Sequence, residues 1–144
     1  MTKSRFIAFA IFASLMSAVP ALGEENDNEI ANKYPGYRLA FSDEFDSGDK
    51  PNPDVWGYEH GFCRNHEKQY YTENNAIVRD GNLIIEARKE RIENDAYVPM
   101  SSDWRTKDRY AEYTSSSIIA KDPYRFNQGI YEVRAKIPVG TGYW

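Results

Sequence analysis

The sequence has little of what disulfide scaffolds, zinc centres and nucleic-acid surfaces require. Its single cysteine, Cys63, excludes an intrachain disulfide, and we interpret it as a small buried hydrophobic residue. Its two histidines, His60 and His66, lack the helical or hairpin spacing that tetrahedral zinc needs. A formal net charge of -4 and the absence of a basic patch argue against nucleic acid as a partner. No G-x-S-x-G motif is present, so a Ser-His-Asp triad is not expected.

Long hydrophobic runs are also lacking. The apolar run over residues 6–19 falls short of the roughly 20 residues that a membrane span needs. Lys3 and Arg5 precede it and small residues follow it, which is the pattern of a secretory signal peptide. We therefore predict a signal peptide over residues 1–23, a secreted or periplasmic location, and no membrane attachment after cleavage. Residues 24–37 are polar and end near a Pro-Gly pair, so they are predicted to form a linker.

Alternation of apolar and polar residues dominates from residue 37 onward. It is clearest in NLIIEARK, residues 82–89, and in GIYEVRAKI, residues 129–137. Asp80-Gly81-Asn82 is a turn signal ahead of a strand. No amphipathic helix appears after the signal peptide, so we predict an all-β fold, an antiparallel β-sandwich or barrel. One strand face is apolar and the other carries Glu, Arg and Ser, so a concave second face would form a polar groove.

The stretch RNHEKQYYTENN, residues 64–75, combines amides, carboxylates and a tyrosine pair. It suits a metal site, an acid–base cluster or a groove for a polyhydroxylated ligand. Amides exchange hydrogen bonds with sugar hydroxyls, and aromatic rings pack on the C–H faces of sugars. The alternative is that Asn65 and Gln69 only satisfy the backbone of their own loop.

Two acidic clusters need an interpretation. SDEFD, residues 42–46, lacks the spacing of an EF-hand loop and is interpreted as a solvated loop, although one of its carboxylates could join a calcium shell. Glu25, Asp27 and Glu29 form an E-x-D-x-E spacing inside the polar linker. A solvated linker offers neither the rigidity nor the apolar setting that tunes the pKa of a catalytic carboxyl group. We assign this triplet no catalytic role.

Several segments in order resemble one known family. They are LAFSDEFD, then Trp56, then RNHEKQYYTENNAIVRDGNLIIEARKE, YTSSSIIAK and QGIYEVRAKIPVGTGYW. The series, from Arg38 to Trp144, is similar to the N-terminal half of glycoside hydrolase family 16, the laminarinase and lichenase type of β-glucanase. The resemblance implies that residues 38–144 are the first part of a β-jelly-roll domain, incomplete in this chain. It also implies an exported, endo-acting hydrolase of β-linked polysaccharides such as β-1,3- or mixed-linkage β-glucans, using a retaining double-displacement mechanism.

The resemblance also implies where the site residues lie. In the family the two catalytic glutamates follow the G-x-G-x-W segment, here Gly140 to Trp144, so they are expected beyond Trp144 and the 144 residues alone are expected to be inactive. Asn65 and Arg88 match substrate-groove positions. An exposed strand cation is the plain alternative for Arg88.

A structural calcium ion is implied as well, since Glu44 matches a side-chain ligand and Gly81 a carbonyl ligand. The plain alternative for Gly81 is a turn that needs a positive φ. Catalysis itself is expected to need no cofactor, the partner is a polysaccharide, and a monomer is expected. A non-catalytic carbohydrate-binding jelly roll is the second hypothesis. An E-x-D-x-E or E-x-D-x-x-E motif within about twenty residues after Trp144 would decide for the enzyme.

Overall fold

The computed structural model describes residues 6–10, 30 and 32–140, and for residues 6–10 it describes the backbone alone. The strands in chain order are β1 Phe6–Ala10, β2 Arg38–Asp43, β3 Trp56–Tyr58, β4 Gln69–Tyr71, β5 Ala76–Val78, β6 Leu83–Ile85, β7 Ile92–Glu93, β8 Tyr110–Ala111, β9 Tyr113–Ser115, β10 Ile118–Ala120 and β11 Ile130–Val133. A short 3-10 helix covers Glu73–Asn75. The predicted all-β fold is confirmed. No helix in the described ranges is long and apolar enough to span a membrane.

The largest sheet has three antiparallel strands in the order β11-β1-β2. The backbone of Phe6 lies opposite Asp43 on one side and opposite Val133 on the other. Strand β1 belongs to the predicted signal peptide. The rest of that segment and half of the predicted linker lie outside the described residues, so the cleavage site stays a prediction.

The remaining strands form pairs. Pairs β3–β10, β5–β6 and β7–β8 are antiparallel as predicted, but β4 and β9 run parallel, with Gln69 opposite Tyr113. Parallel neighbours need a long connection, and the two hairpins between residues 72 and 112 supply it. Isolated β-bridges extend this pair on both sides, because Gly61 pairs with Tyr71 and Arg88 pairs with Thr114. We call this arrangement the β4–β9 ladder.

A hydrophobic core cluster lies beside the larger sheet. Its buried members are Phe45, Val55, Trp56 and Val78, and Phe41, Leu83, Ile118, Ala120 and Tyr124 pack against it. The indole Nε1 of Trp56 donates to Oδ2 of Asp43 at 2.7 Å. Because Phe45 is buried and Asp43 is tied to the core, the SDEFD segment is not the solvated loop that its charge indicated.

The end of the described chain leaves apolar side chains in solvent. Strand β11 stops at Val133, four residues before the predicted end. Val133 is 53% exposed and Ile137 is 73% exposed. Exposed apolar positions on an edge strand are a surface that favours association with other chains.

Candidate functional site

Residues 64–67 form a tight turn that leads into β4. The amide of Glu67 donates to the carbonyl of Arg64 at 3.1 Å, and the two central residues, Asn65 and His66, have φ values of 57° and 54°. Two central residues with positive φ define a type I′ turn, in which asparagine is among the few non-glycine residues tolerated. The backbone alone therefore gives Asn65 a structural reason to be an asparagine.

The side chain of Asn65 remains available to a ligand. The residue is exposed, and its Nδ2 donates only a long bond of 3.5 Å to Oε1 of Glu67. Gln69 donates to the hydroxyl of Tyr71 at 3.1 Å. These amide bonds end on side chains and not on loop carbonyls, so they give no support to the backbone-satisfying alternative.

The two tyrosines of β4 take part in two separate hydrogen-bond networks. On one face, the Tyr71 hydroxyl donates to Oε2 of Glu67 at 2.8 Å, which fixes the turn against the strand. Burial, more than any other effect, raises the pKa of Tyr71. The guanidinium of Arg64 lies 5.7 Å from the centre of the Tyr71 ring and pairs with Glu59. This face is a fixed polar surface.

The other face belongs to Tyr70, which is 1% exposed. Its hydroxyl donates to Asp95, whose second oxygen lies 2.9 Å from Nε2 of His60. Burial, and then the bond to Asp95, raises the pKa of Tyr70 to about 12. The bonds from Tyr70 and His60 lower the pKa of the Asp95 carboxyl group. Tyr70 therefore stays protonated at neutral pH and ties residue 95 to the ladder, so it cannot act as a base.

Arg88 lies at the other side of the ladder. Its backbone exchanges two hydrogen bonds with Thr114, of 2.9 and 3.0 Å. Its guanidinium binds Oε2 of Glu86 through Nε at 2.8 Å and through a terminal nitrogen at 2.5 Å, and it reaches the carbonyl of Asn74 at 3.3 Å. The side chain is oriented by these bonds and is still 37% exposed. It is more than an unattached surface cation.

The ladder brings Asn65 and Arg88 to one region without a direct contact between them. Arg88 pairs with Thr114, and Thr114 pairs with Tyr70, so two strand spacings, or about 10 Å, separate Arg88 from β4. Asn65 lies in the turn just before β4. A sugar chain could touch both residues only by lying across the strands.

The two predicted calcium ligands come from different elements. Glu44 follows β2 directly, and its Oε2 atom is buried. Gly81 lies at the tip of the β5–β6 hairpin, where Asp80 and Gly81 have φ values of 53° and 66°. The turn therefore explains Gly81 by itself, whether or not calcium binds. In the part of the chain that the structure covers, no three His, Cys, Asp or Glu side chains cluster as a metal site.

Other predictions have mixed outcomes. Cys63 is only half-buried, with its thiol near the carbonyls of His60 and Gly61, so the prediction of a buried residue is wrong in degree. Burial, as the main cause, raises the pKa of the Cys63 thiol. The Glu25–Glu29 triplet and residues 141–144 lie outside the described ranges.

Sequence reasoning missed the contribution of the β7–β8 hairpin. Trp104, in its loop, packs on His66 with ring centres 4.8 Å apart. The buried Asn94 closes the same loop. The sequence signal that could have pointed to it is a tryptophan within a polar, turn-rich stretch. A lone tryptophan belongs to no periodic pattern, so the sequence alone could not place it beside residue 66.

Comparison with known proteins finds curated relatives that are named as β-glucanases, in line with the resemblance in sequence. It is 34% identical over 141 residues to a beta-glucanase of Rhodothermus marinus, and the match covers 94% of this chain and 42% of that protein. It is 33% identical over 136 residues to glucan endo-1,3-beta-glucosidase A1 of Niallia circulans, with 86% and 18% covered. The chain thus spans less than half the length of these curated relatives.

One solved structure is also similar. It comes from work on endo-acting O-glycanases that initiate mucin breakdown, expressed by prominent members of the human gut microbiota. The TM-score is 0.54 at 32% identity, and the match covers 59% of this chain and 31% of that one. No family model matches the chain.

Proposed function

We propose that this chain is part of a secreted or periplasmic glycoside hydrolase that cleaves internal bonds of a β-linked polysaccharide, such as a β-1,3- or mixed-linkage β-glucan. The observation that carries the proposal is the 34% identity to a beta-glucanase over 94% of this chain. The signal-peptide pattern of residues 1–23 supports export.

The proposed chemistry is retaining hydrolysis, which needs two carboxyl groups about 5–5.5 Å apart. The strand glutamate Glu132 is bonded by Lys33 at 2.7 Å, and Glu86 is bonded by Arg88. In the described residues each of these two carboxylates is held in an ion pair with a cation. We therefore assign no catalytic residue in the described part, and we propose that the catalytic pair is supplied by residues outside it.

The proposed task of the β4–β9 ladder is to hold the sugar chain away from the scissile bond. Asn65 offers amide donors and an acceptor, and the exposed part of Arg88 offers planar N–H groups to pairs of hydroxyls. Contacts remote from the reacting bond can still lower the activation free energy of a long substrate. Substrates too short to reach these residues should gain nothing from them.

The test compares Asn65→Ala and Arg88→Ala in the full-length protein, on long β-glucan and on a short aryl glycoside. Asn65→Ala should lose about 0.5–1.5 kcal/mol per hydrogen bond in kcat/KM on the polymer, and Arg88→Ala up to about 3 kcal/mol. Both losses should shrink on the short substrate. Binding of β-glucan without release of reducing sugar would favour the non-catalytic alternative instead.

Asn65→Gly is the matched control for the turn. Glycine removes the amide but accepts the positive φ of residue 65, whereas alanine also strains the backbone. If the amide binds sugar, both variants should show the same loss of kcat/KM on the polymer. If Asn65→Ala alone lowers the melting temperature and both variants keep full polymer kinetics, the turn is scaffold and the assigned role is wrong.

We also propose that Glu44 and the carbonyl of Gly81 contribute to a structural calcium site. Both are hard oxygen donors of the kind that calcium prefers. Calcium takes 6–8 oxygen ligands, so these two residues fit as part of a shell that other groups must complete.

A further inference from the structure

The loop between β7 and β8, residues 94–109, is a fixed structure. Asn94 is 2% exposed, and its Nδ2 donates to the carbonyls of Arg105 at 2.8 Å and Asp108 at 3.0 Å. The amide of Val98 donates to the carbonyl of Thr106 at 2.8 Å across the loop. The loop therefore presents its side chains in one orientation.

A cavity of about 420 Å³ opens between this loop, the 64–67 turn and β9. Its volume falls within the roughly 300–1,000 Å³ of ligand-binding pockets. The aromatic residues that line it include Phe62, Trp104 and Tyr113. Tyr113 belongs to β9, so the cavity adjoins the ladder on which the proposed groove lies.

Aromatic rings form one wall of the cavity. The Trp104 indole is only partly buried, and it is oriented by His66, with ring centres 4.8 Å apart, and by Phe62, with ring centres 6.0 Å apart. Tyr113 is 42% exposed. Oriented and partly open aromatic faces suit the apolar C–H faces of a pyranose ring.

Charged side chains of both signs surround the cavity. Its lining contains two cations, Lys68 and Lys107, and three anions, Glu67, Asp108 and Glu112. Glu112 pairs with Arg91 at 3.4 Å, and the guanidinium of Arg105 lies 5.3 Å from the centre of the Trp104 ring. A sugar with many hydroxyls can use such donors and acceptors.

We propose that this cavity is a further sugar-binding subsite, in which Trp104 stacks on a pyranose unit of the polysaccharide. The proposal rests on the proposed function and extends it, because it adds a position to the groove at the edge of the ladder.

The test measures the binding of a β-1,3-glucan hexasaccharide and disaccharide to the full chain by calorimetry, for the wild type and for Trp104→Ala. The variant should bind the hexasaccharide about three- to tenfold more weakly, which is the range expected for one aromatic contact. Trp104→Phe should restore most of the affinity.

Val98→Ala is the control for general damage to the loop, since Val98 is exposed in the same loop and does not line the cavity. It should leave hexasaccharide affinity unchanged. Equal affinity of wild type and Trp104→Ala for the hexasaccharide would overturn the subsite and leave the proposed function standing. A wild type that binds neither β-glucan oligosaccharide nor polymer would overturn the proposed function together with the subsite.

Discussion

Replacing Asn94 should release the β7–β8 loop without unfolding the rest of the protein. The side chain makes three bonds to the loop, because Oδ1 also accepts from the amide of Ala96 at 3.1 Å. At about 0.5–1.5 kcal/mol each, Asn94→Ala should lower the free energy of local opening by about 1.5–4.5 kcal/mol. The backbone bond from Asn94 to Arg109 remains, so the strand pair should stay closed.

Native-state hydrogen exchange measures the free energy of this local opening directly. The amides of Tyr97 and Val98 are bonded inside the loop, and a loss of about 3 kcal/mol corresponds to roughly hundredfold faster exchange. Trypsin should also cut faster after Arg105 and Lys107. Asn127→Ala, at an exposed amide outside the hairpin, is the control and should change neither measurement.

Asn94→Asp gives a sharper version of the same test. The shape of the side chain and its acceptor for Ala96 are kept, but the two donated bonds become contacts between a carboxylate and the carbonyls of Arg105 and Asp108. Burial and these contacts should raise the pKa of the introduced carboxyl group above its unfolded value of about 3.9. Loop stability should then be highest at acid pH and should fall as the pH rises through the raised pKa.

Near pH 7 the loop of the aspartate variant should therefore be more open than that of the alanine variant, although aspartate is the closer isostere of asparagine. If Asn94→Ala leaves the exchange of Tyr97 and Val98 unchanged, the side chain does not hold the loop. If Asn94→Asp is as protected as the wild type near pH 7, the donor assignment is wrong.

Three further predictions concern stability, calcium and solubility. The raised pKa of Tyr70 favours the neutral phenol in the folded state, so the contribution of Tyr70 to folding stability is complete below pH of about 10 and is lost as the pH rises toward about 12. Tyr70→Phe should therefore lack this part of the alkaline unfolding transition in circular dichroism, and an unchanged transition would refute the assignment. Millimolar calcium should raise the melting temperature of the wild type and of Gly81→Asn, which keeps the backbone carbonyl, but not that of Glu44→Gln. An equal shift in all three proteins would show that Glu44 is not a calcium ligand. Val133→Lys with Ile137→Lys should lower light scattering of the concentrated protein, because both side chains are exposed and apolar, and unchanged scattering would place the associating surface elsewhere.

Local patterns predicted the parts of the fold whose causes are local. The alternation around Leu83 gave a strand at β6, and Asp80-Gly81 gave the hairpin turn, because side-chain period and positive φ are properties of neighbouring residues. The alternation after residue 129 also gave β11. Its last predicted residues are not in a strand, since alternation shows where a strand can form and not whether a partner strand is present.

The parallel pairing of β4 with β9 could not be predicted in this way. It depends on how two intervening hairpins return the chain, and no short-range pattern encodes that path. The same holds for the candidate site. The amides and aromatics of residues 64–75 indicated a polar binding surface, but the packing of Trp104 on His66 and the link from Tyr70 to Asp95 join residues far apart in sequence.

The β4–β9 ladder also bears on the order of folding. The hairpins β5–β6 and β7–β8 close over short stretches of chain, whereas the ladder joins residue 70 to residue 114, across both hairpins. Loop closure costs entropy before a distant pairing can repay it, so pairings of this kind form slowly. We expect both hairpins to be native-like before the ladder pairs, so that the polar surface carrying Asn65 and Arg88 forms only after the hairpins have closed.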